Sequence, residues 1–165
     1  MARMTMLKGD AFVNQLKKLQ GKELDKACKS AVYTGAGIVV KEVRDRLLSL
    51  PTDTFRYLRD GDIFTGVPEE QQQDLADSLG VAPIDVDDTG NWNTKVGFDG
   101  YGTKPTKKYP KGLPNQMIAR AIESGSSVRA KTPFVRPAIT RSRKKANAAM
   151  GAVVDKFIEK TNGGK

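Results

Sequence analysis

Three carboxylates within four positions, Asp85, Asp87 and Asp88 in the run DVDDTGN, form the densest set of potential acid–base or cation-binding groups in the chain. A calcium loop would need a fixed twelve-residue ligand spacing closed by a glutamate, and that spacing is absent. Aspartates beside Thr89, Gly90 and Asn91 read instead as a solvated turn. The chain has no histidine, which removes the commonest general base and the commonest metal ligand. The single cysteine, Cys28, excludes an internal disulfide framework. It falls in an apolar helical stripe and reads as a buried, inert thiol. No phosphate-binding glycine loop, dinucleotide fingerprint or nucleophile elbow is present. An enzyme is not expected, nor a cofactor or metal. A hydrolase built on acidic residues of 60–100 is the weakest of the alternatives, because nothing singles out a working carboxylate pair.

The basic residues carry more information. Arg129, Lys131 and Arg136 precede the last predicted helix, and Arg141, Arg143, Lys144 and Lys145 lie in its first half. At 100° per residue these last four do not share one face. They suit phosphate contacts without sequence readout, pairing with an acidic surface of a neighbouring subunit, or plain solvation. Charge is also segmented along the chain. Residues 1–59 carry +6, residues 60–100 carry −9 and residues 101–165 carry +12, within an overall +9. A molecule with opposite charges on different stretches suits head-to-tail contact with copies of itself.

These groups need elements to hold them. A helix is predicted over 10–20, with apolar residues at 12, 13, 16 and 19, and Gly21 punctuates it. A longer amphipathic helix follows over 22–50. Its stripe is Leu24, Cys28, Ala31, Ile38, Val39, Val43, Leu47 and Leu50, with Pro51 as its stop. Gly35 and Gly37 inside it suggest close approach by another element. A short helix is expected over 68–79, with Pro68 at its first position and Gly80 past its end. Residues 81–101 alternate, with Trp92, Thr94, Val96 and Phe98 on one face, and DDTGN between two runs predicts a β-hairpin. A basic Pro/Gly loop spans 103–112. A short helix follows over 113–124, with Met117, Ile118, Ala121 and Ile122 inward and Gly125 at its end. The last helix is predicted from Pro137, at its first position, to about 161, with Ile139, Ala146, Met150, Val153 and Phe157 as its stripe. The expectation is one α+β domain over 1–165. It comprises a helical arm over 1–21, a core over 22–161 in which long N- and C-terminal helices pack on a small antiparallel sheet with extended loops, and a frayed tail over 162–165. No run approaches the roughly 20 apolar residues of a membrane span. The first eight residues lack a signal-peptide core, so synthesis in the cytoplasm is expected.

One stretch joins the last two helices. Ile118 and Ala119 lead to Ile122, Glu123, Ser124, Gly125 and Ser126; a basic spacer follows, then Pro133, Phe134, Val135, Arg136, Pro137 and Ala138. This resembles the signature of the neck or tail-completion (head–tail joining) proteins of long-tailed phages, the morphogenesis family of the lambda gene Z product. Their pattern is A-x-x-[LIV]-E-x-G-T followed by P-F-[LIV]-R-P-A at the start of a C-terminal helix. Pro51, Thr52, Asp53 and Thr54 are similar to the family's P-V-D-T-G, and Lys95, Val96, Gly97 and Phe98 to its central strand. The order of all four pieces matches across most of residues 22–160. The chain departs from the pattern at Phe55, where the family has glycine, and at Ser126, where it has threonine. Residues 60–90 and 100–116 also read as longer than the family's minimum.

The resemblance implies a structural virion protein that assembles in the host cytoplasm. It would form a homo-oligomeric ring, usually a hexamer, at the head–tail junction. Its neighbours would be the head-completion or connector protein on one side and the tail terminator or tail tube protein on the other. DNA would pass through the lumen without sequence-specific binding, and no membrane is involved. No catalytic residue carries over. Glu123 is the first candidate at the joint, as partner of Arg136 or of a basic group across an interface, and Phe134 would pin the joint to the core or to a neighbour. The tail terminator ring itself and a sequence-nonspecific nucleic-acid-binding protein are the alternatives.

Overall fold

Glycines and prolines set most of the boundaries between elements, and long-range hydrogen bonds set the rest. The computed structural model describes residues 2–5, 21–53 and 61–162; the helix expected over 10–20 lies outside them. Among the described residues, strand β1 (Ala2–Thr5) precedes helix α1 (Gly21–Leu48). Then come α2 (Glu69–Ser78), β2 (Leu79–Val81), β3 (Asp85–Val86), β4 (Trp92–Phe98), α3 (Asn115–Ser124) and α4 (Val135–Asn162). The class is α+β, with long N- and C-terminal helices and a small antiparallel sheet.

Strand β4 is the centre of that sheet, in the order β1-β4-β2, and β3 also pairs with β4. Ala2 lies opposite Val96 and Thr5 opposite Asn93; Asp85 lies opposite Asn93 and Val86 opposite Trp92. The expected hairpin is therefore present as β3 and β4. Along β4, Thr94, Val96 and Phe98 are buried and Lys95 is exposed, as the alternation predicts, but Asn93 is buried too. The turn between the strands is closed by Asp87. Its Oδ1 accepts the Thr89 amide at 3.1 Å, the Thr89 hydroxyl at 2.6 Å and the Asn91 amide at 2.9 Å. This is the local side-chain-to-backbone bonding that suits aspartate to turns.

The chain forms two compact units, and α1, α4 and β4 each contribute residues to both. One unit contains Val40–Gly80 and Gly97–Arg141. Its largest fully buried side chains include Leu47, Leu75, Ile122 and Phe134. Phe134 packs against Phe98, with ring centroids 5.9 Å apart and planes tilted by 60°. Helix α2 has no basic residue in its last turn. Arg44 of α1 supplies the missing cation, donating from Nε and Nη2 to the Ala76 carbonyl at 3.3 and 3.2 Å and from Nη2 to that of Leu79 at 3.4 Å. A cation at the carbonyl end of a helix is favourable both as donor and against the dipole.

The other unit contains Ala2–Val39, Val81–Val96 and Ser142–Lys165. Ala27, Ala31 and Val32 of α1 pack with Met150, Val154 and Ile158 of α4, and Ile84 and Trp92 lie against that cluster. Small residues on α1 suit close approach of the two helices here. Gly37 does not serve that purpose: a Cβ built on it meets nothing within 4 Å, and the residue is exposed. Gly35 is buried, so of the two expected approach points only this one faces inward.

Two sequence expectations about helix faces need correction. Met117 of α3 is exposed, not inward, while Ile118, Ala119 and Ile122 are buried. In α4 the buried line is Ala138, Ser142, Ala146, Met150, Val154 and Ile158. The expected Ile139, Val153 and Phe157 are only half-buried. The line advances by four residues at each step, which is about 40° more than one turn. It therefore winds around the helix, and a fixed 3.6-residue stripe picks only part of it.

Candidate functional site

The strongest arrangement of polar groups lies where α3 ends and α4 begins. Gly125 closes α3, its amide donating to the Ala121 carbonyl at 2.9 Å, with φ 79° and ψ 171°. That backbone region is essentially open to glycine alone. A Cβ there would also lie 3.2 Å from the Arg129 carbonyl oxygen and the Lys131 nitrogen. The chain then turns tightly, the Ser126 amide donating to the Arg129 carbonyl at 2.9 Å. It runs beside Phe64, with the Phe64 amide on the Val128 carbonyl at 3.1 Å and the Ala130 amide on the Phe64 carbonyl at 2.8 Å. The Thr132 amide returns to the Ile122 carbonyl at 2.8 Å.

Glu123, 9% exposed, closes the joint. Its Oε2 accepts the Phe134 and Val135 amides at 2.7 and 2.8 Å, and its Oε1 accepts the Arg136 amide at 3.1 Å. Helix α4 has no acid in its own first turn, so the anion at its positive end comes from α3. The next residue, Pro137, has no N–H to satisfy. The helix therefore begins two residues earlier than Pro137 suggests. Three amides that would have no partner at a free helix end find one carboxylate, and proline fills the following place. The Arg136 guanidinium is the weaker partner, with Nε 3.8 Å from Oε1 and the side chain 75% exposed.

Arg129 is not on the surface. It is 6% exposed, donates from Nη2 to Gln71 Oε1 at 2.7 Å and lies 4.7 Å from the centroid of the Phe64 ring. Burial lowers the pKa of its guanidinium. A planar, weakly hydrated cation stacked on an aromatic ring tolerates this position. Arg129 therefore holds the spacer within its own unit. Phe134, fully buried, likewise pins the joint to the core.

Lys131, Arg136 and Arg141 are exposed. With Arg46 of α1, Pro133 and Pro137 they line one shallow groove. Arg46 and Arg141 face the same carboxylate oxygen of Glu42, at 3.9 and 3.8 Å. Arg46 and Glu42 escaped the sequence reading because both lie on α1, about 90 positions from Arg136, and their i, i+4 spacing reads as an ordinary surface pair. Arg143, Lys144 and Lys145 are exposed on α4. Asp85 and Asp88 are exposed beside the turn that Asp87 closes. Among the described residues no group of three or more acidic, cysteine or histidine side chains is arranged to hold a metal ion. No helix there is long and apolar enough to cross a membrane.

No family model, no curated protein and no solved structure matches this chain.

Proposed function

We propose that this chain is a structural protein of a long-tailed phage virion, forming a ring at the head–tail junction that joins the connector to the tail and lets DNA pass. The reading rests on the resemblance of four ordered sequence segments. One observation supports it most directly. The glutamate of the first segment accepts the backbone amides of the phenylalanine, the aliphatic residue and the arginine of the next, at 2.7, 2.8 and 3.1 Å. The glycine of E-x-G sits at φ 79° and ψ 171°. The residues that carry the resemblance thus work as one joint, which gives a physical reason for their occurring together. The segmented charge suits a ring, in which each subunit presents two different complementary surfaces.

Particles made without this protein test the reading. Filled heads and separate tails are the expected products, with joining restored when purified protein is added. Normal joined virions from such a preparation would exclude a neck role. The tail terminator reading predicts instead tails of irregular length.

The exposed cations Arg143, Lys144 and Lys145 favour a second reading, sequence-nonspecific binding of nucleic acid. Filter binding over a salt series separates it: phosphate contacts give a steep negative slope of log affinity against log salt, and a flat slope removes it.

A further inference from the structure

Among the described residues, the groove lined by Arg46, Lys131, Arg136 and Arg141 carries more positive charge than the carboxylates beside it neutralise. Glu42 serves two of its guanidiniums at 3.9 and 3.8 Å. A second described carboxylate beside it, Glu123, is already the acceptor for three backbone amides. The Nε of Arg46 is buried with no hydrogen-bond acceptor. Three of the four cations are arginines, whose forked donors suit carboxylates better than a lysine does. Pro133 and Pro137 stiffen the wall.

The same chain carries a surface of opposite kind. Helix α2 contains no lysine or arginine, and Glu69, Glu70, Gln73 and Asp77 are exposed on it within an arc of about 100°. Lys104 meets Glu70, and Gln73 donates to Asp77 at 2.8 Å, both at the surface, where water keeps such contacts weak.

We propose that the cationic groove receives the acidic face of α2 from a second copy of the chain. This inference rests on the ring reading and names its subunit contact. Both surfaces belong to every copy, so the contact is heterologous: the groove of one subunit takes α2 of the next, and its own α2 goes to another. Charge complementarity fixes the register.

The test uses the full chain by sedimentation velocity and native mass spectrometry, with Lys131→Glu/Arg141→Glu for the groove and Glu69→Lys/Asp77→Lys for the helix. The wild type is expected to assemble, with its affinity falling at least about tenfold between roughly 50 and 500 mM NaCl. Each doubly reversed variant is expected to lose about 100-fold in self-association, since like charges then face each other. An equimolar mixture of the two is expected to recover assembly into alternating, even-numbered rings. Lys131→Gln/Arg141→Gln, which adds no repulsion, gives a milder loss of about tenfold and guards against misfolding, which circular dichroism and melting would reveal. If the wild type assembles and both reversals assemble equally well, this contact is wrong and the ring reading stands. A wild type that stays monomeric at about 1 mM and low salt, where charge attraction is least screened, overturns both. Short duplex DNA that binds the wild-type groove and displaces the second copy also overturns the proposal, by making phosphodiester the occupant.

Discussion

The Glu123 carboxylate and the Phe134 backbone amide, eleven positions apart, meet at 2.7 Å. The same carboxylate takes the Val135 and Arg136 amides at 2.8 and 3.1 Å. The end of α3 thus supplies the N-terminal cap of α4, much as Arg44 of α1 supplies the cation at the carbonyl end of α2. In both cases the helix lacks the favourable charge in its own terminal turn and takes it from another part of the fold.

Removing that carboxylate leaves up to three amides without an acceptor. Glu123→Ala is expected to destabilise the protein by about 2–4 kcal/mol, and Glu123→Gln, which keeps one oxygen, by about 1–2 kcal/mol. Urea unfolding measures both. Unchanged stability in Glu123→Gln would show that the charge contributes nothing at the joint.

Gly125 at φ 79° is a position where a side chain is strained and crowded. Gly125→Ala should cost about 1–3 kcal/mol, a fall in melting temperature of roughly 2–10 °C for a chain of this length. Gly37→Ala should do the opposite. It lies in the interior of α1 with open space where its Cβ would be, so alanine is expected to stabilise by about 0.5–1 kcal/mol. Thermal melts of the pair, compared side by side, must move in opposite directions.

Cys28 is 3% exposed, and burial, helped by the nearby negative charge of Asp25, raises its thiol pKa. Iodoacetamide at pH 8 should label the native protein far more slowly than the urea-unfolded chain. The sign for stability follows. Below the ordinary thiol range both states hold the proton and the contribution is fully present. As pH rises from there through the folded value, the unfolded chain ionises first and the contribution is lost. Cys28→Ser should show a smaller loss of stability between pH 8 and pH 10 than the wild type.

Phe134 fills the base of the joint beside Phe98. Phe134→Ala should cost about 3–5 kcal/mol, whereas Met117→Ala, on an exposed position, should stay within about 0.5 kcal/mol. Equal effects would contradict the buried position of Phe134 and the outward position of Met117 on α3.

The long helices, the hairpin and the DDTGN turn were legible in the sequence because their periods and turn residues are local signals. The origin of α4 was not. Pro137 announces a first turn, but Glu123 moves the start back to Val135, and no local pattern reveals a carboxylate twelve residues upstream. The burial of Arg129 was equally hidden: its partners Gln71 and Phe64 come from more than fifty positions away. Met117 fits an apolar pattern and lies outside, because a single exposed methionine breaks no rule of periodicity. Strands of three and four residues, as in β2 and β1, are too short for alternation to mark.

The winding buried line of α4 bears on what that helix can do when it is cut out of the protein. From Ala138 to Ile158 the line rotates by roughly 200°, so a peptide of residues 135–162 has no single greasy side to offer a detergent micelle or a coiled-coil mate. Its helicity belongs to the intact chain, and a fragment would be expected to stay largely unstructured in water.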